Sequence, residues 1–157
     1  MSVSAVVWAF DVDGCLVDSL TGTSLRPGAV ETLSLLREGG ATVLLWSAGG
    51  REHAASRATQ LGFAHLIDAI YAKEIRGVDG RWSTANLPRE HQPDVFVDDW
   101  PDEAPGTARL VGVPPYIAPN PHDRGLAPLL AELTAVRSTR PTAPTDAAVP
   151  TARGACH

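Results

Sequence analysis

Residues 5–10 form an unbroken apolar run that breaks off into Asp11-Val12-Asp13-Gly14, and no other stretch constrains the fold as strongly. A short apolar run stopped by a turn pair reads as a strand buried on both faces. Side chains alternate along an extended chain, so Asp11 and Asp13 leave on the same side. An ionised carboxylate at the exit of such a strand is expensive to desolvate unless a cation or hydrogen-bond donors compensate it. Two of them together point to chemistry at that end of the strand.

Downstream, apolar strand-like runs alternate with helical patterns, the signature of a parallel sheet covered on both faces. Residues 41–46, 66–72, 94–97 and 108–113 read as further strands, the last stopped by Pro114-Pro115. A helix is expected to open near Pro27, bury Val30, Leu33 and Leu36, and close at Gly39-Gly40; a second covers 51–61. Asp123 is expected to cap a last helix with Leu126, Leu129, Leu130 and Leu133 as its apolar stripe. The expected fold is a three-layer α/β/α, Rossmann-like, doubly wound parallel sheet of about five strands. One domain spans 1–137, and the Pro-, Thr- and Ala-rich segment 138–157 has too little to bury and is expected to be disordered.

Each expected strand delivers a functional group to one edge, the edge where open α/β sheets bind ligands. Strand one carries Asp11 and Asp13, and strand two carries Ser47 followed by Ala48-Gly49-Gly50 and a helix start. The third carries Lys73 and the fourth Asp98 and Asp99. A hydroxyl and free amides at a helix N-terminus suit phosphate oxygens, with the dipole adding ~0.3 to 1 kcal/mol. Four carboxylates cannot share such a pocket unaided, because like charges about 4 Å apart repel by roughly 4 kcal/mol at an effective dielectric near 20. A divalent cation is implied for Asp11, Asp13, Asp98 and Asp99. Oxygen-only ligands favour Mg²⁺ over zinc or a closed calcium cage.

This order of motifs, running over residues 5–102, resembles the haloacid dehalogenase superfamily of phosphohydrolases. The resemblance implies Asp11 as nucleophile on phosphorus and Asp13 as general acid, then base, for a phosphoaspartyl intermediate. It implies that Ser47 binds the phosphoryl group, that Lys73 steadies nucleophile and phosphate, and that Asp98 and Asp99 hold Mg²⁺, with Asp99 the preferred direct ligand. Glu74 stands where many relatives carry Pro, and Arg51 and Arg76 are the alternative cations. Residues 15–26 and 74–93 offer room for a flap and a patternless loop rather than a cap domain, so a capless member is expected.

The net charge of −5 argues against nucleic acid, which needs clustered Lys and Arg. No apolar run approaches the ~20 residues of a membrane span, so a cytoplasmic protein is expected. Cys15 and Cys156 form neither a disulfide framework nor a zinc spacing and read as reduced thiols. The five His are scattered and read as surface or capping residues. Trp8 and Trp46 read as core, and Trp82 and Trp100, near the active edge, as packing, with substrate contact the alternative. The expected partner is a small phosphate ester such as a sugar phosphate or nucleotide, with a lid from the flap, the loop or a second protomer. The alternatives are a macromolecular phosphate (phosphoprotein or nucleic-acid end) and a non-catalytic binding module of the same fold. A signalling receiver domain has a different order, since its phosphate-accepting Asp lies alone on a later strand.

Overall fold

The computed structural model describes residues 4–106 and 108–139. Five parallel strands form one sheet: β1 (Val7–Phe10), β2 (Thr42–Ser47), β3 (Ala69–Ala72), β6 (Val95–Asp98) and β7 (Arg109–Gly112), in the order β3-β2-β1-β6-β7. Between β3 and β6 in the chain lies a separate two-stranded hairpin, β4 (Ile75–Arg76) and β5 (Trp82–Ser83). β1 is central, pairing Val7 to Phe10 with Thr42 to Leu45 on one side and Trp8 to Phe10 with Val95 to Val97 on the other. The chain builds outward from β1 through β2 to β3, then crosses back to β6 and β7. The order therefore reverses between β1 and β6.

Alternation along the strands divides the core in two. Trp8, Phe10, Val43, Leu45, Val95 and Val97 meet α1 (Ala29–Glu38), α2 (Arg51–Gln60) and α3 (Ala127–Thr139) through Leu33, Leu36, Ala54, Ala58 and Leu129, with Leu126 just before α3. Val7, Ala9, Leu44, Trp46 and Phe96 face the other way, against Leu87 and Trp82. Both faces are covered, as the continuous apolar strands require, but the second cover is the 75–91 segment rather than a helix. This is where the reading of 74–93 as a patternless loop is corrected. The segment holds the hairpin and a 3-10 turn, Arg89–His91, and Arg76 stacks 4.1 Å over the Trp82 ring.

Other expectations shift for local reasons. Gly28 takes a left-handed φ of 86°, so α1 opens at Ala29 rather than at Pro27. The buried face is then Ala29, Thr32, Leu33 and Leu36, and Val30 is exposed. The third strand is shorter than 66–72, because Ala64–Leu66 forms a 3-10 turn before Ala69. Asp123 does not cap α3. Its carboxylate takes the buried Arg26 guanidinium at 2.7 Å and the Gly125 amide at 3.0 Å. Leu126 and Leu129 are buried, with Leu130 and Leu133 half-buried beside them. The tail expected from 138 lies outside the described residues, except Ser138 and Thr139, which close α3. Among the described residues no helix is long and apolar enough to cross a membrane.

Candidate active site

The strand order reverses between β1 and β6, and the carboxyl ends beside such a reversal are where open α/β sheets receive ligands. Asp11 follows β1, its amide donating to Val97 O at 2.9 Å and so extending the ladder with β6. Asp98 ends β6 and Asp99 follows it. Oxygens of the Asp11, Asp98 and Asp99 carboxylates lie within 4.8 Å of one another. The residues are separated by most of the domain in sequence, and adjacent strands bring them together.

Lys73 reaches this trio from the end of β3. Its amide donates to Ser47 O at 2.8 Å, and its side chain passes 5.2 Å from the Trp46 ring. Nζ donates to Asp11 Oδ1 at 3.1 Å and to Asp98 Oδ2 at 2.9 Å. The alternative cations lie elsewhere, with Arg76 engaged by Glu103 and Trp82, and Arg51 exposed at the start of α2. Burial alone would lower the Lys73 ammonium, but Asp11 and Asp98 more than reverse this and push it up.

Three acids against one ammonium leave excess negative charge. Burial pushes the Asp11 carboxyl up to about 7; Lys73 pulls it down, and Asp99 adds to the rise. Asp98 is raised by burial and then by the Asp11 charge, and Asp99 is raised chiefly by burial. Buried carboxylates this close, offering only hard oxygen donors, fit a divalent cation of the Mg²⁺ type. Gly14 makes room for the arrangement. It adopts a φ of 81°, and a Cβ there would lie 2.5 Å from Asp99 Oδ2.

Ser47 is buried at the end of β2, and the loop 48–50 leads directly into α2. Its Oγ accepts from the Gly49 amide at 3.1 Å, which leaves the hydroxyl proton free to donate. Below the acids, Cys15 is a free buried thiol 3.6 Å from Val97 O; burial, then the charges of Asp11, Asp98 and Asp99, push it well up. Cys156 lies outside the described residues. Trp82 packs as expected, whereas the Trp100 ring is 63% exposed while its amide donates to Asp98 Oδ1 at 2.8 Å.

Asp13 stands apart from the three clustered acids. Its Oδ2 lies 2.8 Å from His53 Nε2, on the first turn of α2. The pair is about one-third exposed on each side, and a pair that wet contributes only ~0 to 1 kcal/mol to stability. The reading of the histidines as surface or capping residues missed this contact. Its one trace in the sequence is position, since His53 follows Ser47 by six residues in a helix that starts at the active edge.

No protein-family model matches the chain, and no curated protein matches it. Among solved structures it is similar to a haloacid dehalogenase-like family hydrolase from Streptococcus pneumoniae. That match has a TM-score of 0.50 and 15% identity, covering 61% of this chain and 76% of the other. It is also similar to an uncharacterized protein from Listeria monocytogenes serotype 4b, with a TM-score of 0.54 and 18% identity over 85% of this chain and 97% of that one. Both likenesses are of fold.

Proposed function

We propose that this chain is a Mg²⁺-dependent phosphomonoester hydrolase of the capless haloacid dehalogenase type, acting on a small phosphorylated metabolite. The observation that supports it most is the bridging of Asp11 and Asp98 by Lys73 Nζ, at 3.1 and 2.9 Å, beside Asp99. A carboxylate attacking a phosphate ester meets charge repulsion, so cationic groups and donors must already stand where the phosphoryl oxygens will lie. Asp11, Asp98 and Asp99 would hold Mg²⁺, which neutralises phosphoryl charge when bound.

The protein groups account for the rest. Asp11 attacks phosphorus and the bond to the ester oxygen breaks, while Asp13 gives its proton to that oxygen. In the second half Asp13 takes a proton from water, whose oxygen attacks phosphorus and releases phosphate and the Asp11 carboxylate. Lys73 holds Asp11 in place and shields its charge. The Ser47 hydroxyl and the amides of Ala48 and Gly49, at the N-terminus of α2, receive the phosphoryl oxygens. The negative net charge favours a small ester over a nucleic-acid end.

A panel of phosphate esters tested with purified protein and Mg²⁺ decides the matter. Turnover is expected, and it should vanish on chelation and in Asp11→Asn. Absence of turnover on every ester by the unaltered protein would overturn the reading.

A further inference from the structure

We propose that His53 is a positioning residue that fixes which oxygen of Asp13 handles the proton; this rests on the phosphohydrolase reading. With the hydrogen on Nε2, His53 donates at 2.8 Å to Asp13 Oδ2, an oxygen that can accept in both the acid and the carboxylate form of Asp13. With Oδ2 occupied, Oδ1 is the oxygen that passes a proton to the leaving group and later takes one from water.

Both partners are held from behind. A Cβ on Gly49 would lie 2.6 Å from His53 Cδ2, so the imidazole is seated directly on the loop that leads out of Ser47, where any larger residue would displace it. The backbone of Asp13 is fixed by its bridge to Val17 and by the Gly14 amide donating to Val17 O at 2.7 Å. What remains free in Asp13 is the rotation of its side chain, and His53 removes that freedom. Misplacing a reacting group by about 1 Å costs rate out of proportion to any change in stability.

The proton balance is explicit. In the first half the hydrogen on Oδ1 moves to the ester oxygen as the bond to phosphorus breaks, leaving Asp13 as a carboxylate that still accepts from His53. In the second half Oδ1 takes the hydrogen of the attacking water, restoring the acid. His53 keeps its own proton throughout and never touches substrate.

The test compares leaving groups. 4-Nitrophenolate departs without protonation, whereas the alkoxide of glycerol 2-phosphate needs it. General acids contribute roughly 10² to 10⁴ in rate, so His53→Leu is expected to lose about thirtyfold or more in kcat on glycerol 2-phosphate. On 4-nitrophenyl phosphate it should lose less than about threefold, with KM for both changed by less than about threefold. His53→Gln, which restores an N–H donor at similar reach, is expected to recover most of the loss. His53→Ala, which removes the imidazole without adding bulk, should show the same split if His53→Leu does not fold. Independently of turnover, the imidazole nitrogen resonances of His53 should move in Asp13→Ala. Equal losses on the two esters, faster turnover of the alkyl ester, no change on it, or unmoved resonances would each overturn the assignment. Failure of the unaltered protein on both esters, with the resonances moved, would instead locate the error in the phosphohydrolase reading.

Discussion

Gly14 lies directly beneath the carboxylate of Asp99, so close that a single added methyl would sit 2.5 Å from Oδ2. The contact ties the turn after β1 to the turn after β6, the two turns that carry the acids.

Gly14→Ala is therefore expected to act on cation binding as well as on stability. The left-handed φ of 81° alone costs an alanine about 1 kcal/mol, and the collision displaces Asp99. The thermal midpoint should fall by several degrees without Mg²⁺, and the rise on adding Mg²⁺ should be smaller than in the unaltered protein. Calorimetric melts with and without the ion check both.

Lys73→Met leaves Asp11 and Asp98 buried without their ammonium. Breaking a buried pair from one side costs roughly 3 to 5 kcal/mol, offset in part where the acids can take up protons. The loss measured by urea unfolding should be larger at pH 8 than at pH 5. Equal losses at the two pH values would contradict the charge arrangement.

Cation binding should release protons. The Asp11 carboxyl, pushed up to about 7 by burial against the pull of Lys73, is still partly protonated near neutrality in the metal-free protein. The proposed Mg²⁺ would bind the ionised form, so affinity should rise as pH increases toward 7 and level off above it. Titration calorimetry in buffers of different ionisation enthalpy reads the proton count directly, and no buffer dependence at pH 6.5 would refute the expectation.

Asp18 predicts an acid limb in stability. Burial opposes its ionisation, but the Thr21 hydroxyl and the amides of Thr21, Gly22, Thr23 and Ser24 outweigh that and bring it down from 3.8 to about 2. The folded value is the lower one, so the stabilisation is complete above about 4 and is lost as pH falls through about 2. Asp18→Ala should cost about 2 kcal/mol at pH 7, and the gap to the unaltered protein should narrow below pH 4 in urea titrations.

Arg26→Met removes a fully buried guanidinium that donates to Asp123, to Cys15 O at 3.2 Å and to Pro114 O at 2.6 Å. The buried Cys15 carbonyl, the Pro114 carbonyl and the Asp123 carboxylate then lose their Arg26 donor, and a destabilisation of about 3 kcal/mol is expected by chemical unfolding. Because Arg26 is remote from the acids in function, Mg²⁺ affinity of the folded variant should stay within about threefold.

What could be read in advance follows from burial. β1, β2 and β6 are buried along nearly their whole length, so each is a continuous apolar run, and the acid or serine that ends each run stands out against it. The clustering of Asp11, Asp98 and Asp99 was legible for that reason. β4 and β5 are two residues each, too short for any periodicity. Val30 misled because apolar spacing alone does not reveal where Gly28 lets the helix begin. Arg26 and Asp123 are 97 positions apart with no pattern between them, and a single His on a polar helix carries no spacing at all.

The ladder between β1 and β6 continues through the Asp11 amide into the site itself, so the proposed nucleophile hangs from the central hydrogen bonds of the sheet. Opening that pair means opening the centre of the molecule, whereas the 18–24 loop and the 75–83 hairpin can loosen alone. The clustered acids are thus expected in the last part of the protein to exchange its amide hydrogens, and adaptation to a new ligand would fall to the periphery while the acids stay still.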